Sequence, residues 1–456
     1  MMKTMLRNTF ILAFFCTSGF GQTFSVPEDF HEKANAYLDA VSRVGIFSGN
    51  VLIAHGHDVL LEESVGYASR RLGVPNTSDT RFRLGSITKS FTAIGILQLM
   101  EQGELTLDDP LSHWFPDFPF ADQILIRHLL SHSSGLKRDI RFPDKSERYS
   151  MEELITLAHV DSLLYTPGSR STYSNCGYIF LQSILETESG MPYEDYLITH
   201  ILQPLQLRGM GLEMAHFPPA RLADGYAAGA NPEGTYDIQE VYLERHGYPE
   251  AVGALFGTAR ELWQFTRHIG DAQLLSAATW EQALSPQVEQ EYGYQWGFGF
   301  NVYESNGLLV YNHNDRTTGF RGGYFYYPEQ EITMVVLANN SFAERDRMVD
   351  AFERMLTGKR YYQPEAPQAI ELPAEKKQAY VGTYDTGEFT FSITERNGQL
   401  YLASHGDPPS RIHAYAEDAF FCEYFDLKLA FERKRDVVTA VEWRYQNRPT
   451  QAKKVE

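Results

Sequence analysis

Ser86 and Lys89 stand three residues apart in Ser86-Ile87-Thr88-Lys89, at the head of a stretch with apolar residues at Phe91, Ile94, Leu97, Leu99 and Met100. That spacing predicts a helix over 86–102 buried on most sides, with the hydroxyl and the amine on one face of its first turn. A serine hydroxyl is a poor nucleophile until a neighbour takes its proton. The partial positive charge of a helix start and burial both disfavour a lysine cation, so Lys89 is a candidate base. The backbone N–H of Ser86, unsatisfied at a helix start, is a candidate donor to a developing oxyanion.

Tyr173-Ser174-Asn175 supplies a second element. A tyrosine beside a lysine cation has its pKa lowered and can shuttle protons, while the Asn175 amide can bind both Lys89 and a substrate carbonyl. His313 supplies a third, followed by Asn314, Asp315, Arg316 and then Gly319-Phe320, ahead of a strand able to line a substrate. None is distinctive alone. Ser134-Gly135-Leu136-Lys137 repeats the first spacing in a loop-like setting, and Tyr445-Gln446-Asn447 repeats the second. His128 and His132, one helical turn apart, read as packing or loop histidines, since no glutamate lies between them as in a zinc-protease helix. No metal and no cofactor is expected.

The order of these motifs is distinctive. GSITKSFTA (85–93), LLSHSSGL (129–136), PGSRSTYSNCGY (167–178) and HNDRTTGFRGGYFYYPE (313–329) follow one another as in the serine β-lactamase-like and penicillin-binding-protein family, which the chain resembles over roughly residues 30–355. The resemblance implies an antiparallel sheet with flanking helices, an all-helical subdomain and a site at their junction. It implies catalytic roles for Ser86, Lys89, Tyr173 and Asn175. Ser86 together with the His313, Asp315 and Arg316 strand would hold substrate and oxyanion, the Arg316 N–H being a second oxyanion donor. A Ser86 acyl-enzyme would form and be hydrolysed on an ester or amide. The family's third motif ends in Ser or Thr and then Gly, whereas Asn314 and Asp315 fill those places here. An aspartate where glycine lets the strand approach the substrate adds bulk and charge. A catalytically silent protein that recognises cell-wall peptide is therefore the competing expectation. A Gly-x-Ser-x-Gly α/β-hydrolase is disfavoured by the absence of that elbow.

The elements that would carry these residues are legible in outline. Phe47 to Ser64 reads as two strands around Gly56-His57-Asp58, and Leu308 to Asn340 as further strands, so one α/β sheet draws on both ends of the segment. Between them, Asp108-Asp109-Pro110 reads as a cap with proline at a first helical position, and Ser150 with Glu153 as a capping box before a helix through Leu157. Further helices are expected over 178–190 and 251–269. Lys359 to Pro373, with three prolines, reads as a linker. Beyond it Phe389, Phe391, Ile393, Leu400 and Leu402 alternate with polar residues around an Asn397-Gly398 turn, predicting a small all-β module that resembles a lipocalin-like appendage.

The expected organisation is a signal peptide over 1–21, a hydrolase domain over 22–358, a linker over 359–373 and an all-β domain over 374–456. Lys3 and Arg7 before an apolar Thr9–Phe15 run, with Gly19 and Gly21 following, give the leader its form and place the protein in the periplasm or outside the cell. Cys16 is a lipid-attachment candidate that Phe14-Phe15 fits poorly. No apolar stretch is long enough to span a bilayer. Cys176 and Cys422 fall in different expected domains, so no structural disulfide is expected. A net charge of −19 in 456 residues repels nucleic-acid phosphate, leaving a small molecule or peptide as the expected partner.

Overall fold

The computed structural model describes residues 24–455, apart from 145–146, 148, 214–219, 232–234, 242–249, 289–294, 366, 405–407, 424 and 446–447. The expected leader and Cys16 lie outside the described residues, as do Gln446 and Asn447. The organising element is an antiparallel seven-stranded sheet. Its strands are β1 (Gly49–His55), β2 (Asp58–Val65), β3 (Gln295–Trp296), β4 (Asn301–Ser305), β5 (Leu308–Thr317), β6 (Phe320–Tyr327) and β7 (Ile332–Ala338), in spatial order β3-β4-β5-β6-β7-β1-β2. The first hairpin thus enters the sheet beside the last strand, Gly49 opposite Ala338.

Alternation along β7 explains why its sequence is apolar throughout. Ile332, Met334, Val336 and Ala338 join one core, and Val335 and Leu337 join the other, because helices cover both faces. Helices α1 (Phe30–Val44) and α4 (Arg345–Leu356) cover the first face. Helices α2 (Thr88–Gln102) and α3 (Asn175–Ser189) belong to the larger core on the second. α3 ends on Gly190 in the left-handed conformation, and the Ser150–Glu153 capping box is formed ahead of Met151–Leu157.

Three expectations are corrected. Ser86 lies in a single 3₁₀ turn, Gly85–Ile87, that precedes α2 rather than in the helix itself. The helix expected over 251–269 is two short helices, Glu250–Gly253 and Ala259–Thr266, separated by a strand, Leu255–Gly257, that pairs with Phe82–Arg83 and Gly211–Leu212. Glycines at 253 and 257 break an otherwise helical apolar pattern. Pro110 is extended and precedes a three-residue 3₁₀ turn, and the Asp109 carboxylate instead accepts from the N–H and hydroxyl of Thr106.

After Lys359 the described chain has no regular element until Ala374. Eight strands between Gly382 and Lys454 then close into a barrel with its own core. Asn397 and Gly398 both adopt positive φ in the expected hairpin turn. Cys176 and Cys422 are free and buried. Among the described residues no helix is long and apolar enough to cross a membrane.

Candidate active site

The site is built where the 3₁₀ turn before α2 meets β5. α2 is buried around its whole circumference, so Lys89 enters the core with its helix and is fully buried. Its Nζ lies 3.3 Å from Ser86 Oγ and donates to the Val252 carbonyl at 2.8 Å. That carbonyl belongs to the short Glu250–Gly253 helix, which comes close enough that a Cβ on Gly253 would sit 3.3 Å from Gly85. The aromatic faces of Tyr173 and Tyr178 lie 5.1 and 5.5 Å from Nζ. Burial brings the Lys89 pKa down to about 7; the Asp315 and Asp139 carboxylates oppose this and Arg138 adds to it.

Tyr173 sits in a ring cluster that sequence reasoning missed. His132 packs against it, tilted by 34° with centroids 4.3 Å apart, and the Trp296 ring centroid lies 4.5 Å from that of His132 and 5.5 Å from that of His313. The two imidazoles are fully buried. Desolvation first, and Lys89 second, depress both, His313 to about 3 and His132 well below the usual range. Their neutral tautomers follow from their partners. His132 Nδ1 accepts the Ser174 N–H, so its proton is on Nε2; His313 Nδ1 faces the Asn314 carbonyl at 2.9 Å, so its proton is on Nδ1. Both Nε2 atoms lack a hydrogen-bond partner among the described residues.

Asn175 opens α3 behind the Ser174 cap. Its Nδ2 donates to the Asp139 carboxylate at 2.5 Å and its buried Oδ1 has no partner among the described residues. The recorded bonds of Lys89 go to Ser86 and Val252 rather than to Asn175, which corrects the expected Lys89–Asn175 contact. The rival Ser134 is buried in a loop, and Lys137 reaches away from it to the carbonyls of Leu157 and His159.

The largest departure concerns Asp315. Its side chain is 1% exposed and points at Ser86. Oδ1 accepts the Ser86 N–H at 2.9 Å and the Thr317 hydroxyl at 2.7 Å. Gly85 takes φ +46°, and a Cβ there would lie 2.0 Å from that oxygen, so glycine is what admits the carboxylate. The N–H expected to stand free for an oxyanion is therefore engaged by the chain itself. Arg316 is exposed. The buried guanidinium against this strand is that of Arg345, the first residue of α4, which donates to the carbonyls of Asp315 (2.9 Å) and Gly322 (2.6 Å), a residue pair facing each other across β5 and β6. A cleft of about 600 Å³ reaches Tyr173 and is bounded there by Arg138, Trp296, Asn312 and Asn314. Among the described residues no group of His, Cys, Asp and Glu could hold a metal ion.

A half-buried serine beside a fully buried lysine amine at a helix start, a tyrosine face over that amine and an antiparallel strand alongside are the parts expected of a serine hydrolase with the β-lactamase fold. The Beta-lactamase family model matches residues 34–359, and the chain belongs to that family. It is 28% identical over 419 residues to penicillin-binding protein 4* of Bacillus subtilis, an alignment covering 86% of this chain and 91% of that one. It is 29% identical over 309 residues to esterase EstB of Burkholderia gladioli, covering 59% and 78%. Among solved structures, the octameric penicillin-binding protein homologue of Pyrococcus abyssi superposes with a TM-score of 0.65 at 24% identity, over 93% of this chain and 100% of that one.

The tautomers are testable by histidine-selective ¹⁵N NMR. His132 and His313 should both stay neutral down to pH 5, with Nε2–H and Nδ1–H respectively. A midpoint near 6.5 for either ring would show that it is hydrated.

Proposed function

We propose that this hydrolase cleaves an ester or amide through a Ser86 acyl-enzyme. The approach of Lys89 Nζ to Ser86 Oγ at 3.3 Å, by an amine with a pKa of about 7, carries the reading. Near neutral pH a large fraction of Lys89 is unprotonated and takes the Ser86 proton as Oγ attacks the carbonyl carbon. The Oγ–carbon bond forms, the bond to the leaving alcohol or amine breaks, and that group departs with a proton relayed through Tyr173. Water then attacks the acyl carbon and gives a proton to the same base, which returns it to Ser86 Oγ as the Oγ–carbon bond breaks and the acid leaves. The spare Oδ1 of Asn175 is an acceptor, so it suits a substrate N–H better than a carbonyl. His313 orients the strand whose Arg316 N–H completes the oxyanion site. The same reading takes 1–21 as an export leader, 22–358 as the hydrolase domain, 359–373 as a linker and 374–456 as a second domain.

Asp315 sets the substrate class. A carboxylate on the Ser86 N–H competes with the oxyanion and repels an acidic substrate, so neutral or cationic esters and amides are favoured. The name of the esterase relative supports an ester. The same contact is what a silent cell-wall-peptide receptor would carry, and labelling separates the two. A fluorophosphonate should add one adduct to the intact mass of the protein and none to Ser86→Ala. No adduct on the wild type favours the silent receptor, and an adduct persisting in Ser86→Ala rejects the assignment.

Displacing the Asp315 carboxylate costs on the order of 1.5–3 kcal/mol, a typical charge-assisted hydrogen bond, or about tenfold to a hundredfold in rate. Asp315→Gly should therefore raise kcat/KM by about tenfold or more on a D-alanyl peptide with a free carboxylate, and by less on its terminal amide. An unchanged acid-to-amide ratio would remove the electrostatic account of Asp315.

A further inference from the structure

The C-terminal barrel is packed with aromatic rings at one end and opens at the other on an apolar pocket that it shares with the hydrolase fold. Tyr380, Tyr384, Phe420 and Phe431 pack against one another with ring centroids 4.7 to 5.7 Å apart and close the first end. At the second end lies a cavity of about 900 Å³ walled by Phe389, Leu402, Phe425, Leu427, Trp443 and Tyr445. Period-two alternation explains why these walls face inward. Phe389 continues the inward series of Phe391 and Ile393, and Trp443 continues that of Val441, all three of those being buried in the barrel core, while Tyr445 stands exposed at the rim. A barrel of eight strands has an interior wide enough for side chains to fill or for one small ligand to occupy, and this one divides its length between the two.

The mouth is shared with the hydrolase fold. A hairpin, Gly225–Ala230 paired with Tyr236–Val241, is rooted beside the turn that follows β5, the Tyr226 N–H bonding the carbonyls of Gly319 (3.2 Å) and Asn339 (2.9 Å). Ala228 and Gly229 of this hairpin line the cavity, so the hydrolase side covers the opening with two of the smallest side chains and leaves the volume open. The one charged wall residue among those described is the exposed carboxylate of Glu388, in a chain of net charge −19.

We propose that this cavity is a binding site for a small amphiphile, taking its aromatic or aliphatic body between Phe389, Leu402, Leu427 and Trp443 and leaving a neutral or cationic head beside Glu388. The volume falls within the range of sites that enclose a ligand of a few tens of atoms, and aromatic walls with few polar groups are the usual lining of such sites. An anionic head is disfavoured by Glu388 and by the charge of the whole chain. This site does not depend on the chemistry assigned to Ser86.

The full-length protein is titrated with N-phenyl-1-naphthylamine, a neutral aromatic amine whose fluorescence rises in apolar surroundings. Saturable binding of about one probe per chain is expected, with a Kd on the order of 10 μM. Leu402→Trp fills the cavity from within, and Gly229→Trp plugs it from the hydrolase side without touching the barrel core. Each should weaken binding by about tenfold or more while fluorophosphonate labelling is unchanged; if Leu402→Trp does not fold, Gly229→Trp alone decides. Decylamine should displace the probe at least tenfold more effectively than decanoate. Non-saturable binding, binding unaffected by Gly229→Trp, or displacement by decanoate as good as by decylamine would each overturn the proposal.

Discussion

Removing the Lys89 amine from water is the constraint on which the rest of the site depends. A buried ammonium loses hydration that no single contact restores, and the favoured response is a lowered pKa. The surroundings supply only partial compensation: one hydroxyl, one backbone carbonyl and two tyrosine faces. A closer carboxylate would restore the cation and abolish the base. Asp315 is near enough to raise the pKa, yet Ser86 N–H and the Thr317 hydroxyl hold its Oδ1. The same desolvation keeps His132 and His313 neutral, so the amine is the principal titrating group of this cluster near pH 7.

Backbone placement makes that burial possible. α2 has no exposed face to give Lys89, and the Glu250–Gly253 helix delivers its carbonyl because Gly253 lets it close against Gly85. From the other side, Arg345 ties the Asp315 carbonyl to that of Gly322 and so fixes β5 and β6 where the Asp315 side chain meets the serine turn. A guanidinium donating to two carbonyls serves as a rigid strut, a task its planar fork suits.

Much of this was legible in the sequence. Ser86, Lys89 and Tyr173 stood out through the order of their motifs, and the structure brings them together with His313 and Asp315. The two-ended sheet, the Ser150–Glu153 cap and the alternation through Phe389, Phe391 and Ile393 follow from local rules. What stayed hidden depends on contacts distant in sequence. His132 looked like a packing residue because nothing local shows that it lies against Tyr173. Trp296 and Arg345 carried no motif. The helix expected over 251–269 was misread because apolar periodicity does not register strand pairing at Leu255–Gly257. The aim of the Asp315 carboxylate at Ser86 could be read only once Gly85 and β5 were side by side, although the bare substitution for glycine had marked the position.

Activation of Ser86 depends on the ionisation of one amine, that of Lys89. Lysine labelled with ¹³C at Cε, assigned by comparison with Lys89→Met, gives the Lys89 titration directly by NMR between pH 5 and 11. A midpoint near 7, with Lys89 neutral above it and cationic below, is the result expected from burial beside Ser86. A midpoint near 10.5, the ordinary lysine value, would contradict it, since the amine would then be a cation across the neutral range and no base for Ser86.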